Sequence, residues 1–176
     1  MPFNHVALAT RDLDASHRFY TEVMGFRLAK VVVAPTPDDT GWARHVFYDC
    51  GDGEYIAFWD LHDATIDNYS TDLSKSLGLP GWVNHLAWDG VDEDTYQSHL
   101  QRWREQGHTV AEVDHGFCKS IYTTDPNGIM VEFCLMTKVL GADDEAQARV
   151  LLQAETPDLE QAPPVVIHKP LVPTGV

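Results

Sequence analysis

Cysteine, basic side chains and long apolar runs are all scarce in this chain, and each scarcity argues against a class of protein. Three cysteines occur, Cys50, Cys118 and Cys134. An odd number at wide spacing suits reduced thiols better than a disulfide framework or a paired CxxC zinc site. Lysine and arginine number 12 against 27 aspartates and glutamates, a formal charge of −15. Such a chain repels polyanions, so nucleic acid and anionic membrane surfaces are poor partners. No apolar run approaches the length that spans a bilayer. The opening MPFNHVALATRDLD has neither the basic start nor the apolar stretch of a signal peptide, which predicts a cytoplasmic protein. The charge favours solubility and identifies no substrate.

What is present is an ordinary globular composition, 44% hydrophobic over 176 residues. That length holds one well-filled core, or two small modules sharing one. Residues 3–9, FNHVALA, alternate as a half-buried strand does, with Val6 and Leu8 opposite His5 and Ala7. Asp12 is placed to cap a helix reaching about Met24, with Leu13, Phe19, Tyr20 and Val23 as its apolar stripe and Gly25 as its stop. Strand patterns follow at 26–33, 42–48 and 54–59, separated by loops rich in Pro, Asp and Gly. The order βαβββ then recurs: a strand at 83–88, a helix at 92–106 with Tyr96, Leu100 and Trp103 inward, and strands at 108–113, 119–124 and 129–135.

The repeat reaches single residues, since FNHVALA aligns with VNHLAWD and places His5 on His85, each behind an asparagine. Likewise YIAF at 55–58 aligns with MVEF at 130–133 and places Ala57 on Glu132. The predicted fold is α+β: paired βαβββ modules (3–59 and 83–136) within a domain of residues 1–137, joined by a linker at 60–82 and forming an open mixed β-barrel around a metal site. Residues 138–176 should add one helix, 141–154, acidic at its N-terminal end. The proline-rich tail after it should be extended and either loose or laid along a surface.

The closing stretch TTDPNGIMVEF combines a strong turn, Asp125-Pro126-Asn127-Gly128, with a strand whose one discordant residue is Glu132. A carboxylate is rarely buried without a partner or a metal. By strand parity His5, His85 and Glu132 all lie opposite the large aliphatics of their strands, so all three should face a shared concavity. Two histidines and a carboxylate from three strands suit a divalent metal bound on one face. The alternative is that the histidines are hydrogen-bonded core residues and Glu132 belongs to a salt bridge.

The NHVAL and NHLAW openings, the RDLDASHRFYTEVMGFR helix and the YTTDPNGIMVEF hairpin resemble the vicinal oxygen chelate superfamily of glyoxalases, bleomycin-resistance proteins and type I extradiol dioxygenases. The resemblance covers residues 3–136 and implies a metal held by His5, His85 and Glu132. Glyoxalase I takes a fourth ligand, a glutamate, at the place occupied here by Ala57, and a methyl group cannot ligate. The resemblance therefore implies Fe(II), with Mn, Zn, Ni or Co as alternatives, keeping open positions for a small catechol and dioxygen. Tyr122, ten residues before Glu132, matches the extradiol tyrosine that donates to a substrate oxygen, and His115 the histidine upstream of it. Where those enzymes carry an acid-base histidine, the aligned residue is Glu54; His45 or His62 are the other candidates for that role.

The implied function is a metal-dependent extradiol-type ring-cleavage dioxygenase with an aromatic substrate, acting as a homodimer or higher homo-oligomer. The alternatives are a glyoxalase- or epimerase-like lyase or isomerase using Glu54 as base, and a non-catalytic small-molecule-binding resistance protein. Lys119, Arg44, Trp42 and Trp59 could line the cavity, or else serve strand-end solvation and packing. His17, His99 and His108 lie on or beside helices and receive no role.

Overall fold

Four alternating segments build the first sheet. β1 (His5–Thr10), β2 (Arg27–Pro35), β3 (Gly41–Gly51) and β4 (Glu54–Asp63) are ordered β1-β4-β3-β2 in the computed structural model, which describes residues 3–172. Pro173, the last of the tail prolines, lies outside the described residues. β1 runs parallel to β4, with His5 beside Tyr55 and Ala7 beside Ala57. β3 is antiparallel to β2 and β4 and sets Phe47 beside Ala57 and His45 beside Trp59. A parallel pair needs a crossover, and here it contains α1 (Leu13–Arg18), capped by the Asp12 side chain, which accepts the Ala15 N–H at 2.8 Å. The expected single helix to Met24 instead widens into a π-helical turn, Phe19–Val23, before Gly25 ends it at φ +81°.

Register sorts this sheet into two faces. Val46, Tyr48, Ile56 and Phe58 are buried and pack against the helix, with the Tyr20 ring 4.7 Å from Phe58 and 5.8 Å from Tyr48. His5, Ala7, His45, Phe47, Ala57 and Trp59 share the opposite face.

The second sheet repeats the first. β5 (His85–Asp89), β6 (Val110–Asp114), β7 (Cys118–Thr124) and β8 (Met130–Met136) are ordered β5-β8-β7-β6, the strand order of the first module, and α2 (Glu93–Glu105) stands in the place of α1. Tyr96, Leu100 and Trp103 of α2 are buried, as their spacing predicts, and Phe133 packs on Trp103 at 5.4 Å and on His99 at 3.7 Å. The tail takes the second of its two expected courses: β9 (Val165–His168) adds to the β6 edge in antiparallel register. That pairing covers an otherwise open strand edge. α3 (Ala142–Gln153) forms as expected and buries none of its residues. The strands form two separately hydrogen-bonded sheets, in keeping with the expected pair of open βαβββ modules.

By compactness the chain divides into two units, Met1–Leu86 with Thr124–Val131 and Ala87–Thr123 with Glu132–Val176. The Asp125–Gly128 turn thus belongs with the first unit, for a visible reason. Tyr20 Oη donates to Asp125 Oδ2 at 3.0 Å, and Asn127 Nδ2 donates to Ser16 Oγ at 3.1 Å. The linker is also more structured than expected, since β4 continues to Asp63 and a single 3-10 turn forms at Lys75–Leu77.

Candidate functional site

Each proposed histidine ligand is oriented by a neighbour. His5 is exposed on the face opposite the helix, and its Nδ1 lies 2.7 Å from Asn4 Oδ1. His85 is exposed at the start of β5, with Nδ1 3.1 Å from the Trp82 carbonyl. An oxygen acceptor at Nδ1 selects the tautomer protonated there and makes Nε2 the lone-pair nitrogen, as metal-binding histidines require. The repeated asparagine has diverged: Asn4 holds its histidine, whereas Asn84 donates from Nδ2 to the Leu73 carbonyl and from its backbone N–H to Ser74 Oγ.

In the second unit three predicted residues come together. The β6–β7 register puts Tyr122 and Ser120 on one face with Ala111 and Val113, opposite the face where Phe133 meets α2. Glu132, on the alternation opposite Phe133, is 5% exposed. Its carboxylate hydrogen-bonds Tyr122, whose hydroxyl lies 3.1 Å from His115 Nε2. Burial is the first cause that pushes the Tyr122 phenol up to about 12, and the Glu132 charge adds to it against a Ser120 hydrogen bond. Tyr122 is therefore an O–H donor at any ordinary pH. Beside it, burial pushes the Cys134 thiol up to about 11, so it stays protonated.

In the first unit the residue that sequence reasoning left as one of three options is the one best placed. His45 shares the face of His5, with ring centroids 6.2 Å apart, and stacks on Trp59 at 3.8 Å and 11°. Its Nε2 is buried and has no hydrogen-bond partner among the described residues. Burial first, and the nearby His5 second, lower its pKa below the usual histidine value. Glu54 lies on the alternation of Ile56 and Phe58, away from Ala57, and its Oε1 accepts the Phe3 N–H at 3.1 Å. His62 is on that other alternation as well, bonded to Asp60 at 2.8 Å and stacked on Trp42 at 3.9 Å. The signal that could have separated them was the alternation of β3, where His45 and Phe47 fall together opposite Val46 and Tyr48.

The other candidates divide the same way. Arg44 lies over Trp42 and pairs with Asp60 at 3.6 Å, and Lys119 pairs with Glu93 at 3.5 Å. Of the four possible lining residues only Trp59 shares the face of His5. His17 bonds Tyr48, and burial lowers His108 and takes His99 down to about 4, which suits packing roles. Among the described residues, no three His, Cys, Asp or Glu side chains are gathered closely enough to hold a metal ion, and no helix is long and apolar enough to cross a membrane.

Solved structures share this architecture. A lactoylglutathione lyase from Agrobacterium tumefaciens is 20% identical with TM-score 0.51, covering 76% of this chain and 92% of its own. TnmS3, an antibiotic binding protein from Streptomyces sp. CB03234, is 17% identical with TM-score 0.51, covering 78% and 97%. The oxidase ChaP-H2 is 20% identical with TM-score 0.52, covering 80% and 96%. At such identities the likeness is one of fold. No curated protein matches the sequence. The family pattern, however, matches residues 3–133, most of the chain. With its duplicated βαβββ modules, the chain belongs to the Glyoxalase/Bleomycin resistance protein/Dioxygenase superfamily.

Proposed function

We propose that this protein is an extradiol-type dioxygenase that opens the ring of a small catechol at Fe(II) held by His5, His85 and Glu132. The observation that carries the reading is the Glu132–Tyr122–His115 cluster, which ties a proposed ligand to a phenolic donor and a histidine. The donor chemistry fits a divalent ion: two imidazoles presenting Nε2 and one buried carboxylate. His5 and His85 belong to one compact unit and Glu132 to the other, so the ligand set is proposed to assemble from both units, within one chain or across a swapped homo-oligomer. When bound, Fe(II) supplies a centre of low positive charge together with the redox capacity that couples a catechol to dioxygen.

The chain's own residues supply orientation and proton handling. Tyr122 remains protonated and donates its O–H to a substrate oxygen, and His115 holds that hydroxyl in place. His45, neutral at physiological pH, accepts a catechol proton at Nε2, while Trp59 fixes the plane of its imidazole. Ala57 offers no fourth ligand, so the open positions that two substrates need are kept. The lyase or isomerase alternative, with Zn, Ni, Co or Mn, would use the same His45 as base but would consume no oxygen. A pure binding protein would need neither.

The test is anaerobic reconstitution with Fe(II), followed by a catechol panel under air. Oxygen uptake with appearance of a yellow ring-opened product is expected. Bound Fe(II) without oxygen uptake for any catechol overturns the reading in favour of the isomerase, and failure to bind any divalent metal favours the binding protein.

A further inference from the structure

The stretch beyond the family match does more than trail from the second module. Thr137 and Lys138 donate their N–H groups to the Phe117 carbonyl at 3.0 and 3.2 Å, and the Thr137 hydroxyl donates to the Gly116 carbonyl at 3.3 Å. Lys138 pairs with Asp144 at 2.5 Å, and Asp144 accepts the Gly141 N–H at 2.9 Å, which ties the first turn of α3 to the same place. At its far end the extension is fastened through β9, where His168 Nε2 lies 2.7 Å from Glu112 Oε2. A segment fastened at both ends is a wall, although α3 contributes nothing to the core.

What it walls is space around the β6–β7 tip. Cavities of about 500 and about 450 Å³ flank His115–Phe117. The larger is faced by Phe117, Leu140, Ala148 and Leu151, with Glu160 at its side. Lys138, also lining it, is neutralised by Asp144, so the residual charge is that of Glu160. Its size falls in the range of small-molecule sites, about 300–1,000 Å³. His115 lines this cavity and also bonds Tyr122, so one side chain links the cavity wall to the phenolic donor. A bare catechol held at Tyr122 would leave it unused.

We propose that this cavity is a binding pocket for an apolar side arm on the aromatic substrate, so that the protein selects alkyl- or aryl-substituted rings over the bare ring and rejects arms ending in a carboxylate. The inference deepens the catechol reading and rests on it for the ring's position. Each buried methylene is worth roughly fourfold in affinity, so an arm of a few carbons dominates selectivity.

Calorimetric titration of the purified full chain with phenol, 4-hexylphenol and 4-(5-carboxypentyl)phenol tests it. 4-Hexylphenol should bind about tenfold or more tighter than phenol, and the carboxylate analogue should lose that gain. Ala148→Trp, which fills the cavity from an exposed helix, and Leu151→Glu, which sets a charge in its wall, should each reduce the preference below about threefold and leave phenol binding unchanged. Equal affinity for phenol and 4-hexylphenol in the unaltered protein, or a preference that survives both substitutions, overturns the proposal. These monophenols cannot chelate through vicinal oxygens, so the result is separable from ring cleavage. A chain that shows the preference while no catechol draws oxygen keeps the pocket and loses the dioxygenase.

Discussion

Replacing Tyr122 by Phe separates chemistry from packing at the centre of the proposed site. The ring stays, so the half-buried packing on β7 is kept, and what leaves is one hydroxyl with contacts to His115 Nε2 at 3.1 Å and to the Glu132 carboxylate. If that hydroxyl donates to a substrate oxygen bearing negative charge, the lost bond is charge-assisted and worth about 1.5–3 kcal/mol. Catalytic efficiency should then fall roughly ten- to two-hundred-fold, at about 1.4 kcal/mol per decade. A second effect follows from Glu132 being 5% exposed: removing one donor to a buried carboxylate should lower stability by about 1–3 kcal/mol. Because the Tyr122 phenol is pushed up to about 12, it stays protonated from pH 6 to 9. The pH–rate profile of the variant should therefore keep its shape while its height drops. Steady-state oxygen uptake on an accepted catechol, with urea unfolding alongside, reads both quantities. Turnover within twofold of the unaltered protein, together with the loss of stability, would show Tyr122 to be structural and refute the catalytic argument.

The duplicated strand order was legible because each module writes its own alternation, and β1 and β5 both open on Asn-His. Glu132 was legible as an anomaly, a carboxylate in an apolar strand, and it is buried as that anomaly implies. Tyr122 and His115 were singled out by the family resemblance, and they do meet. Other features depend on register, which strand-by-strand alternation leaves undetermined. The alternation of β3 already sets His45 with Phe47, but its stack on Trp59 appears only once β3 lies beside β4. The C-terminal pocket was illegible for a different reason. Its wall is a helix with no buried residue, so burial periodicity carries no trace of it, and the bonds that anchor it join residues far apart in sequence, Thr137 to Gly116 and His168 to Glu112.

Three further outcomes test the assignments. Glu132→Ala should remove most bound metal in elemental analysis; full retention would sink the ligand set. Ala57→Glu, at a fully buried position beside Phe47, should retain or tighten metal while dioxygenase activity falls, and intact activity would show that the reaction does not use that position. The last concerns Asp125, 5% exposed in the closing turn, where Oδ1 accepts the Asn127 and Ile129 N–H groups at 2.9 and 2.8 Å and Oδ2 accepts from Tyr20 and Asn127 Nδ2. Burial raises its pKa above the usual 3.8 in spite of those four donors. A carboxylate raised on folding binds more protons in the native than in the unfolded state across the window between the two values, so its contribution to stability is lost as pH climbs through that window. Asp125→Asn keeps the two backbone bonds, since an amide oxygen can replace Oδ1, but it turns an –NH₂ toward Asn127 Nδ2, at a cost of about 1–3 kcal/mol. The variant carries no charge to desolvate, so its deficit should be largest near pH 4 and shrink toward pH 7. Urea unfolding at both pH values decides it. A deficit that widens with pH would mean the charged carboxylate is favoured by its donors over its burial, the reverse of the stated cause.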